Sequence, residues 1–270
     1  MTSIFVPDGD RFVPTEYARA MWYEDGSLNG GPVAALLARQ VERVEAPNPM
    51  IVARLTVDLL RPVPGRPLEV TTRVTRPGKR IQLVEATMTC DGVEVARASA
   101  LRTRSTGLEV PEHPRRDVPP DPELFPTFPM QPEGETFFHV AAVEMRVAAG
   151  DFYEHGPAAV WLRMAMPFFP DEEPTPLMRT VAFADFSNGI SRVVPSSEYV
   201  FLNPDLSVYL HRYPVGEWVY LRSRTDAEPN GVALAQSELF DRDGAIGHGL
   251  QSLYVDTWEQ FGGRPPEQKL

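Results

Sequence analysis

Hydrophobic and polar positions divide the chain into two stretches of similar grammar, separated by a stretch with no period. Between Leu28 and Val44, apolar residues Val33, Leu36, Leu37, Val41 and Val44 recur at helical spacing. Asn29-Gly30-Gly31-Pro32 opens this helix and Ala46-Pro47-Asn48-Pro49 stops it. Ahead of it, residues 12–22 read as a first strand ending at a Glu24-Asp25-Gly26 turn. Behind it, residues 51–60, 68–75, 80–89 and 93–103 read as four strands. In the first of these, Ile51, Ala53, Leu55, Val57 and Leu59 share one face, and Asp91-Gly92 is a hairpin turn between the last two. Residues 105–135 are too rich in proline for regular structure and read as a linker crossing the surface. Periodicity then returns. Strands are expected over 140–149 and 160–166, a proline- and acid-rich loop over 168–180, and a helix through VAFADFSNGI (181–190). A second meander covers 199–210, 218–225, 232–240 and 245–255, with Asp243-Gly244 as its hairpin turn and a frayed tail from Trp258.

The two stretches repeat one another. LTVDLLRPVPG (55–65) aligns with LSVYLHRYPVG (206–216), so that Leu55, Val57, Leu59 and Arg61 fall on Leu206, Val208, Leu210 and Arg212. CDGVEVARASAL (90–101) aligns with RDGAIGHGLQSL (242–253), and the offset stays near 151 by subtraction of the residue numbers. Each half is thus one helix plus a long antiparallel sheet. An apolar helix stripe must be buried, and a curved sheet can wrap it. Two such units pairing edge to edge hide their exposed strands. The expected organisation is an N-terminal unit over 1–104, a linker over 105–135 and a C-terminal unit over 136–270.

Composition narrows the function. The 270 residues are 43% hydrophobic and 23% charged, as in globular chains, and the net charge of -11 argues against a general nucleic-acid binder. The one cysteine, Cys90, rules out an internal disulfide framework and makes a zinc–thiolate site untenable. The first residues lack a signal-peptide pattern and no apolar run reaches membrane-span length, so a soluble, cytoplasmic protein without membrane partners is expected.

The chemistry centres on VAFADFSNGI. Asp185 is the one acid in an apolar run and reads as a carboxylate near a helix start, pointing into a pocket. An ionised carboxylate there needs partners, because burying it unpaired costs several kcal/mol. The plain alternative is a capping or salt-bridged aspartate. The repeat acts as a control. Half one has Val52 where half two has Asn203, Ser99 where half two has Gln251, and Asn29-Gly30-Gly31 near the place of Asp185. The polar set therefore occurs once, either as a site or as a buried hydrogen-bond network without turnover. Arg61 and Arg212 recur in both halves, which favours a structural role. Arg80, after a Pro77-Gly78 turn, is a candidate for a ligand phosphate. Gly30 and Gly31 offer bare backbone to a close-lying ligand. His139, His155, His211 and His248 are scattered, His113 lies in the linker, and no metal cluster stands out. Gly-x-Ser-x-Gly is absent, and Asn29-Gly30-Gly31 is too short for a nucleotide phosphate loop.

GSLNGGPVAALLARQVE, LTVDLLRPVP, AFADFSNGI and NPDLSVYLHRYPVGEW, in that order and spacing, resemble the acyl-CoA thioesterase II-like branch of the thioesterase superfamily. The resemblance implies an α+β double hot-dog: two tandem units, each with a central helix wrapped by a curved antiparallel sheet. It also implies hydrolysis of acyl-CoA to fatty acid and CoA without metal or cofactor, and a homodimer. The family's Asp, Thr or Ser, and Gln fall on Asp185, Asn203 and Gln251, so Asn203 departs from the pattern. A related hydratase would carry Asp-x-Asn-Pro-x-His, but Phe201 and Leu206 stand at its two ends. The reading of a different class is a catalytically silent acyl- or acyl-CoA-binding protein on the same fold.

Overall fold

The computed structural model describes residues 2–21, 26–111, 117–130, 134–152 and 154–262. β1 (Phe5–Asp8) and β2 (Arg11–Pro14) form a hairpin about Gly9-Asp10, with Gly9 at φ 59°. The single strand expected over 12–22 is therefore corrected: it ends at Pro14. Thr15 then accepts from the Tyr17 N–H and starts a short 3-10 turn, Glu16–Ala18. Trp22 and the Glu24-Asp25 part of the expected turn lie outside the described residues.

α1 (Gly30–Glu42) is capped by Asn29, whose side-chain oxygen accepts from the Gly31 N–H at 2.9 Å. The meander follows as β3 (Met50–Leu59), β4 (Leu68–Arg76), β5 (Ile81–Cys90) and β6 (Val93–Arg104). Asp91 and Gly92 both take positive φ in the expected hairpin turn. The alternation expected along β3 breaks. A bulge between Val52 and Arg54 shifts the face, so Val52, Leu55 and Val57 are buried while Ile51 and Ala53 are only half-buried.

The proline-rich segment is tied down at its far end. Residues 122–124 form a 3-10 turn and the Trp161 indole donates to the Pro120 carbonyl at 2.9 Å. Phe125 packs against a cluster of Trp161, Trp218, Tyr220 and Phe240. A π-helical turn, Phe138–Ala142, takes the first residues of the strand expected from 140. β7 (Val143–Ala149) and β8 (Ala158–Met164) follow.

The loop expected over 168–180 is corrected most. Thr175 caps a helix and Pro176 is its first residue, so α2 runs over Pro176–Ala184, followed by the single turn α3 (Ser187–Ile190). Pro at the first helical position gives up only an N–H that has no helical partner there. The second meander is β9 (Tyr199–Leu202), β10 (Asp205–Leu210), β11 (Val219–Ala227), β12 (Val232–Asp241) and β13 (Gly244–Thr257). Asp241 pairs with Gly244, so the last hairpin turns at Arg242-Asp243, one residue earlier than expected. The expected fray from Trp258 is in part a short helix, α4 (Trp258–Phe261), capped by Thr257.

The strands form one antiparallel sheet among the described residues, in the order β1-β2-β4-β5-β6-β3-β10-β13-β12-β11-β8-β7, with β9 beside β13. The order reads alike from both ends about the β3–β10 junction. There Thr56 lies opposite Ser207 and their hydroxyls hydrogen-bond at 3.0 Å, although the residues are 151 apart. A repeat of that offset placed each residue against its own counterpart only at this one pair, so the approximate two-fold of the repeat passes through it.

The register also corrects one expectation. Ser99 faces Thr56 as Leu250 faces Ser207, so the counterpart of Gln251 is the buried Ala100, not Ser99. A slip of one residue turns a strand position to the other face.

α1 and α2 pack side by side in opposite directions. The α1 start meets Ala182 near the α2 end, while the Thr175 hydroxyl at the α2 start donates to Glu42 at the α1 end, at 2.5 Å. Arg39, 6% exposed, forks onto Glu172 at 2.8 and 2.6 Å and lies over the Phe169 ring. Opposed helix dipoles suit this pairing. α1 packs on β3 to β6, and α2 on β8, β10 and β11. Leu36, Leu37, Val181 and Phe183 are fully buried in a core shared by both halves, each such side chain stabilising by roughly 1.5–3 kcal/mol.

Candidate active site

Where the two helix ends meet, Asp185 is the C-terminal cap of α2, and the single turn α3 starts two residues further on, at Ser187. Gly30 and Gly31 open α1 directly opposite. A Cβ on Gly30 would lie 2.9 Å from both Asp185 carboxylate oxygens, and one on Gly31 would lie 2.8 Å from the Ala182 carbonyl. The glycines of half one are thus not the counterpart of Asp185 but the wall it faces. Only residues without a side chain let the helix start approach so closely.

Two amides converge on the same carboxylate. Asn203 Nδ2 donates to Asp185 Oδ1 at 2.8 Å, and Gln251 Nε2 donates to Oδ1 at 3.2 Å and to the Asp185 carbonyl at 3.3 Å. Gln251 is fully buried, and its Oε1 accepts the Asn188 N–H at 3.3 Å. Neither amide engages Oδ2. Asn203 reaches inward because the strand breaks at Asn203-Pro204 between β9 and β10. That break falls where β3 carries its bulge at Val52, and such irregularities re-aim side chains.

Burial pushes the Asp185 pKa up to about 6, from 3.8. Hydrogen bonds from Asn203, the Gly31 N–H and Gln251 pull it back. Its position at a helix C-terminus works in the same direction as burial. No cationic side chain holds it down among the described residues. The result is a carboxylate that ionises just below neutral pH, with one oxygen fixed by two amides and the other turned from them. Such a group can take a proton from a water.

The other expected residues stand apart. Arg80 is exposed on the turn between β4 and β5 and does not join this group. Arg212 braces the fully buried Asp241, at 2.6 Å, and the Gly244 carbonyl at 2.9 Å, whereas Arg61 is exposed, so the repeated arginines do not share a role. Burial pushes the His139 pKa down to about 4, leaving a neutral ring stacked on Phe137. His248 is exposed on β13, and His113 lies outside the described residues. Among the described residues no group of His, Cys, Asp and Glu is placed to hold a metal ion, and no helix is long and apolar enough to cross a membrane. Two features had no signal in the sequence: the Asn188 N–H behind Gln251, and an open groove beside the α1 start bearing Arg19 and Arg66.

Residues 18–103 match the family profile described as acyl-CoA thioesterase N-terminal domain, and residues 115–255 match the one described as acyl-CoA thioesterase C-terminal domain. The chain belongs to the acyl-CoA thioesterase family. Among solved structures, it resembles a protein of Novosphingobium aromaticivorans provisionally described as a thioesterase: 21% identity, TM-score 0.73, covering 94% of this chain and 99% of that one. An Alicyclobacillus acidocaldarius protein described as having a hot-dog fold matches at 19% identity and TM-score 0.69, over 93% and 95% of the two chains. The acyl-CoA thioesterase II TesB2 of Mycobacterium marinum matches at 18% identity and TM-score 0.62, over 86% and 90%. At these identities the likeness is one of fold, and the fold of this thioesterase-family chain is of the hot-dog kind. A search of curated proteins finds no match.

Proposed function

We propose that this chain hydrolyses acyl-CoA thioesters to a carboxylic acid and CoA at the meeting of the α1 start and the α2 end. The observation that carries the proposal is the convergence of Asn203 and Gln251 on one Asp185 oxygen, against the bare backbone of Gly30-Gly31. Asp185, ionised above about pH 6, takes a proton from a water. Asn203 and Gln251 hold the carboxylate in place. With its N–H2 committed to Asp185, Asn203 keeps its amide oxygen to accept from that water, which is how it stands in for a hydroxyl. The water oxygen attacks the thioester carbon. The positive end of the α1 dipole faces the carbonyl oxygen as it gains charge. The C–S bond then breaks, and the thiolate leaves and takes up a proton as CoA. No metal or cofactor enters.

The same reading takes the molecule as a double hot-dog, units 1–104 and 136–270 each wrapping one helix, with 105–135 as connector and the site assembled from both. A homodimer and a cytoplasmic location go with it. The second reading, an acyl-CoA-binding protein without turnover, is favoured by Asn203 in the place of a hydroxyl. Free-thiol release from a panel of acyl-CoAs separates the two. Release catalysed by wild type well above the Asp185→Ala background supports hydrolysis. Equal rates for the two proteins would end the catalytic assignment.

A further inference from the structure

Behind Asp185 runs a chain of buried hydroxyls that the proposed hydrolysis does not use. Ser187 and Ser191 come from α3 and its C-terminal cap, Ser223 and Thr225 from β11, and Ser237 from β12. All are buried, Ser187 and Ser191 fully. A hydroxyl has one hydrogen to give, and that fixes the direction of the chain. Ser187 spends its hydrogen on the Ala184 carbonyl at 2.9 Å, so it accepts from Ser237 at 2.5 Å, and Ser237 in turn accepts from Ser223. Ser191 spends its own on the Ser187 carbonyl at 2.7 Å and accepts from Thr225 at 2.8 Å. The sheet therefore donates and α3 accepts, at both of its ends.

The same turn of chain carries the chemistry. Asp185 stands two residues before Ser187, and the Asn188 N–H, one residue after it, donates to Gln251 Oε1 at 3.3 Å. That N–H decides which way the amide faces. Reversed, Gln251 would turn its oxygen to Asp185 Oδ1 and the Asp185 carbonyl, both acceptors, and its N–H2 to a donor. The repeat again supplies a control. Ser223 lies opposite Ser237, and Thr225 opposite Ala235, across β11 and β12. The residues 151 positions earlier pair in the same way across β4 and β5: Thr72 opposite Ala86, and Val74 opposite Val84. Half one thus has Ala86 and Val74 where half two has Ser237 and Thr225, and Thr72 is exposed where Ser223 is buried. A sheet of this kind folds without the hydroxyls. The buried chain occurs only in the half that carries Asp185 and Gln251.

We propose that Ser237 and Thr225 are positioning residues: through Ser187 and Ser191 they hold α3 on the sheet, and the Asn188 N–H so placed keeps Gln251 turned with its N–H2 on Asp185. The inference rests on the hydrolase reading for its effect on rate. Apolar packing fills space without direction, whereas each of these hydrogen bonds fixes a distance and an angle. Two anchors, one on β11 and one on β12, stop the turn from pivoting about either. Neither residue hydrogen-bonds Asp185 or Gln251 itself, so both act through α3.

The test gives half two the residues of half one, as Ser237→Ala, Thr225→Val and the pair. kcat and KM are measured for the acyl-CoA of the panel that is cleaved fastest. In substrate-free protein, NMR follows the titration of the Asp185 carboxyl carbon and the exchange of the Asn188 amide. Each single change lowers kcat about threefold and the pair about tenfold, with KM within about twofold of wild type, because what is lost holds the base rather than the substrate. In the pair the Asp185 titration moves to higher pH by about half a unit, as loss of a hydrogen bond to the carboxylate requires, and the Asn188 amide exchanges faster. Either single variant carries the test if the pair does not fold. Val84→Ala, a truncation of a fully buried side chain in half one, lowers the melting temperature and moves none of these. Folded variants with wild-type kcat, titration and exchange overturn the proposal and leave the hydrolase reading standing, and so does a fall in melting temperature alone. A shifted titration with faster Asn188 exchange, in a protein that releases no thiol from any acyl-CoA of the panel, keeps the anchor and ends the hydrolase reading.

Discussion

Asp185→Asn is expected to lower hydrolysis about 10³-fold, the scale of losing a general base, and at the same time to make the protein more stable above neutral pH. The second half follows from burial. The folded-state pKa of about 6 lies above the ordinary 3.8, so the folded chain holds this proton more tightly than the unfolded one. The stability it confers is full below pH 3.8, falls as pH rises toward 6 and stays low above that. Asparagine accepts from Asn203 and Gln251 and never ionises. At pH 8 the variant should therefore gain about 2 kcal/mol, taken from roughly 1.4 kcal/mol per pKa unit less the burden of seating an amide N–H2. At pH 3.5 the ionisation gain is gone and the amide burden should leave the variant about 1 kcal/mol less stable than wild type. Thermal unfolding at the two pH values, alongside thiol release, reads both effects. A variant that loses activity without gaining stability at pH 8 would mean that the carboxylate is not held ionised against burial.

The second large effect separates the two glycines. Gly30→Ala places a Cβ against the end of the Asp185 side chain, with no backbone atom among its nearest contacts. Gly30 is the first residue of α1, where a methyl group disturbs no helical hydrogen bond, so the fold should survive while the carboxylate is pushed aside. Misplacing a reacting group by about 1 Å can cost about 10²-fold, and that is the loss expected in kcat/KM. Gly31→Ala instead meets the Ala182 carbonyl, 2.8 Å away, and the Phe138 ring, 3.0 Å away. There α1 itself must move, so stability should fall as well as rate, by the roughly 1–3 kcal/mol typical of overpacking. Circular dichroism melts and kcat/KM for both variants make the comparison. Full activity in folded Gly30→Ala would place the reacting centre elsewhere.

Much of this molecule is readable before folding. The repeat calls for two matching units joined edge to edge, and β3 pairs with β10. Asp91-Gly92 turns where expected, since both residues accept positive φ. Asp185, Asn203 and Gln251 do meet, though the sequence does not show that the acid closes one helix just before another starts. The cause is local. Thr175-Pro176 is a helix start, but among so many prolines it reads as loop. The β3 bulge hid in the same way: strict alternation puts Ala53 inward, and one extra residue turns Val52 inward instead. The Ser99–Gln251 equivalence failed because aligning the two hairpin turns by their Asp-Gly pairs costs one residue of register, and only pairing across β3 and β10 restores it. What no local pattern could give is the encounter of Gly30 with Asp185, which depends on two helices from different halves running in opposite directions.

The most direct measurement is kcat/KM against pH for the acyl-CoA of the panel that is cleaved fastest, followed by loss of the thioester. Between pH 4.5 and 8 the rate should climb with a single ascending limb centred near pH 6, where Asp185 ionises, and that limb should be absent from the residual activity of Asp185→Asn. A flat profile through pH 6, or an Asp185→Asn profile that matches wild type, would contradict hydrolysis by a water activated at Asp185.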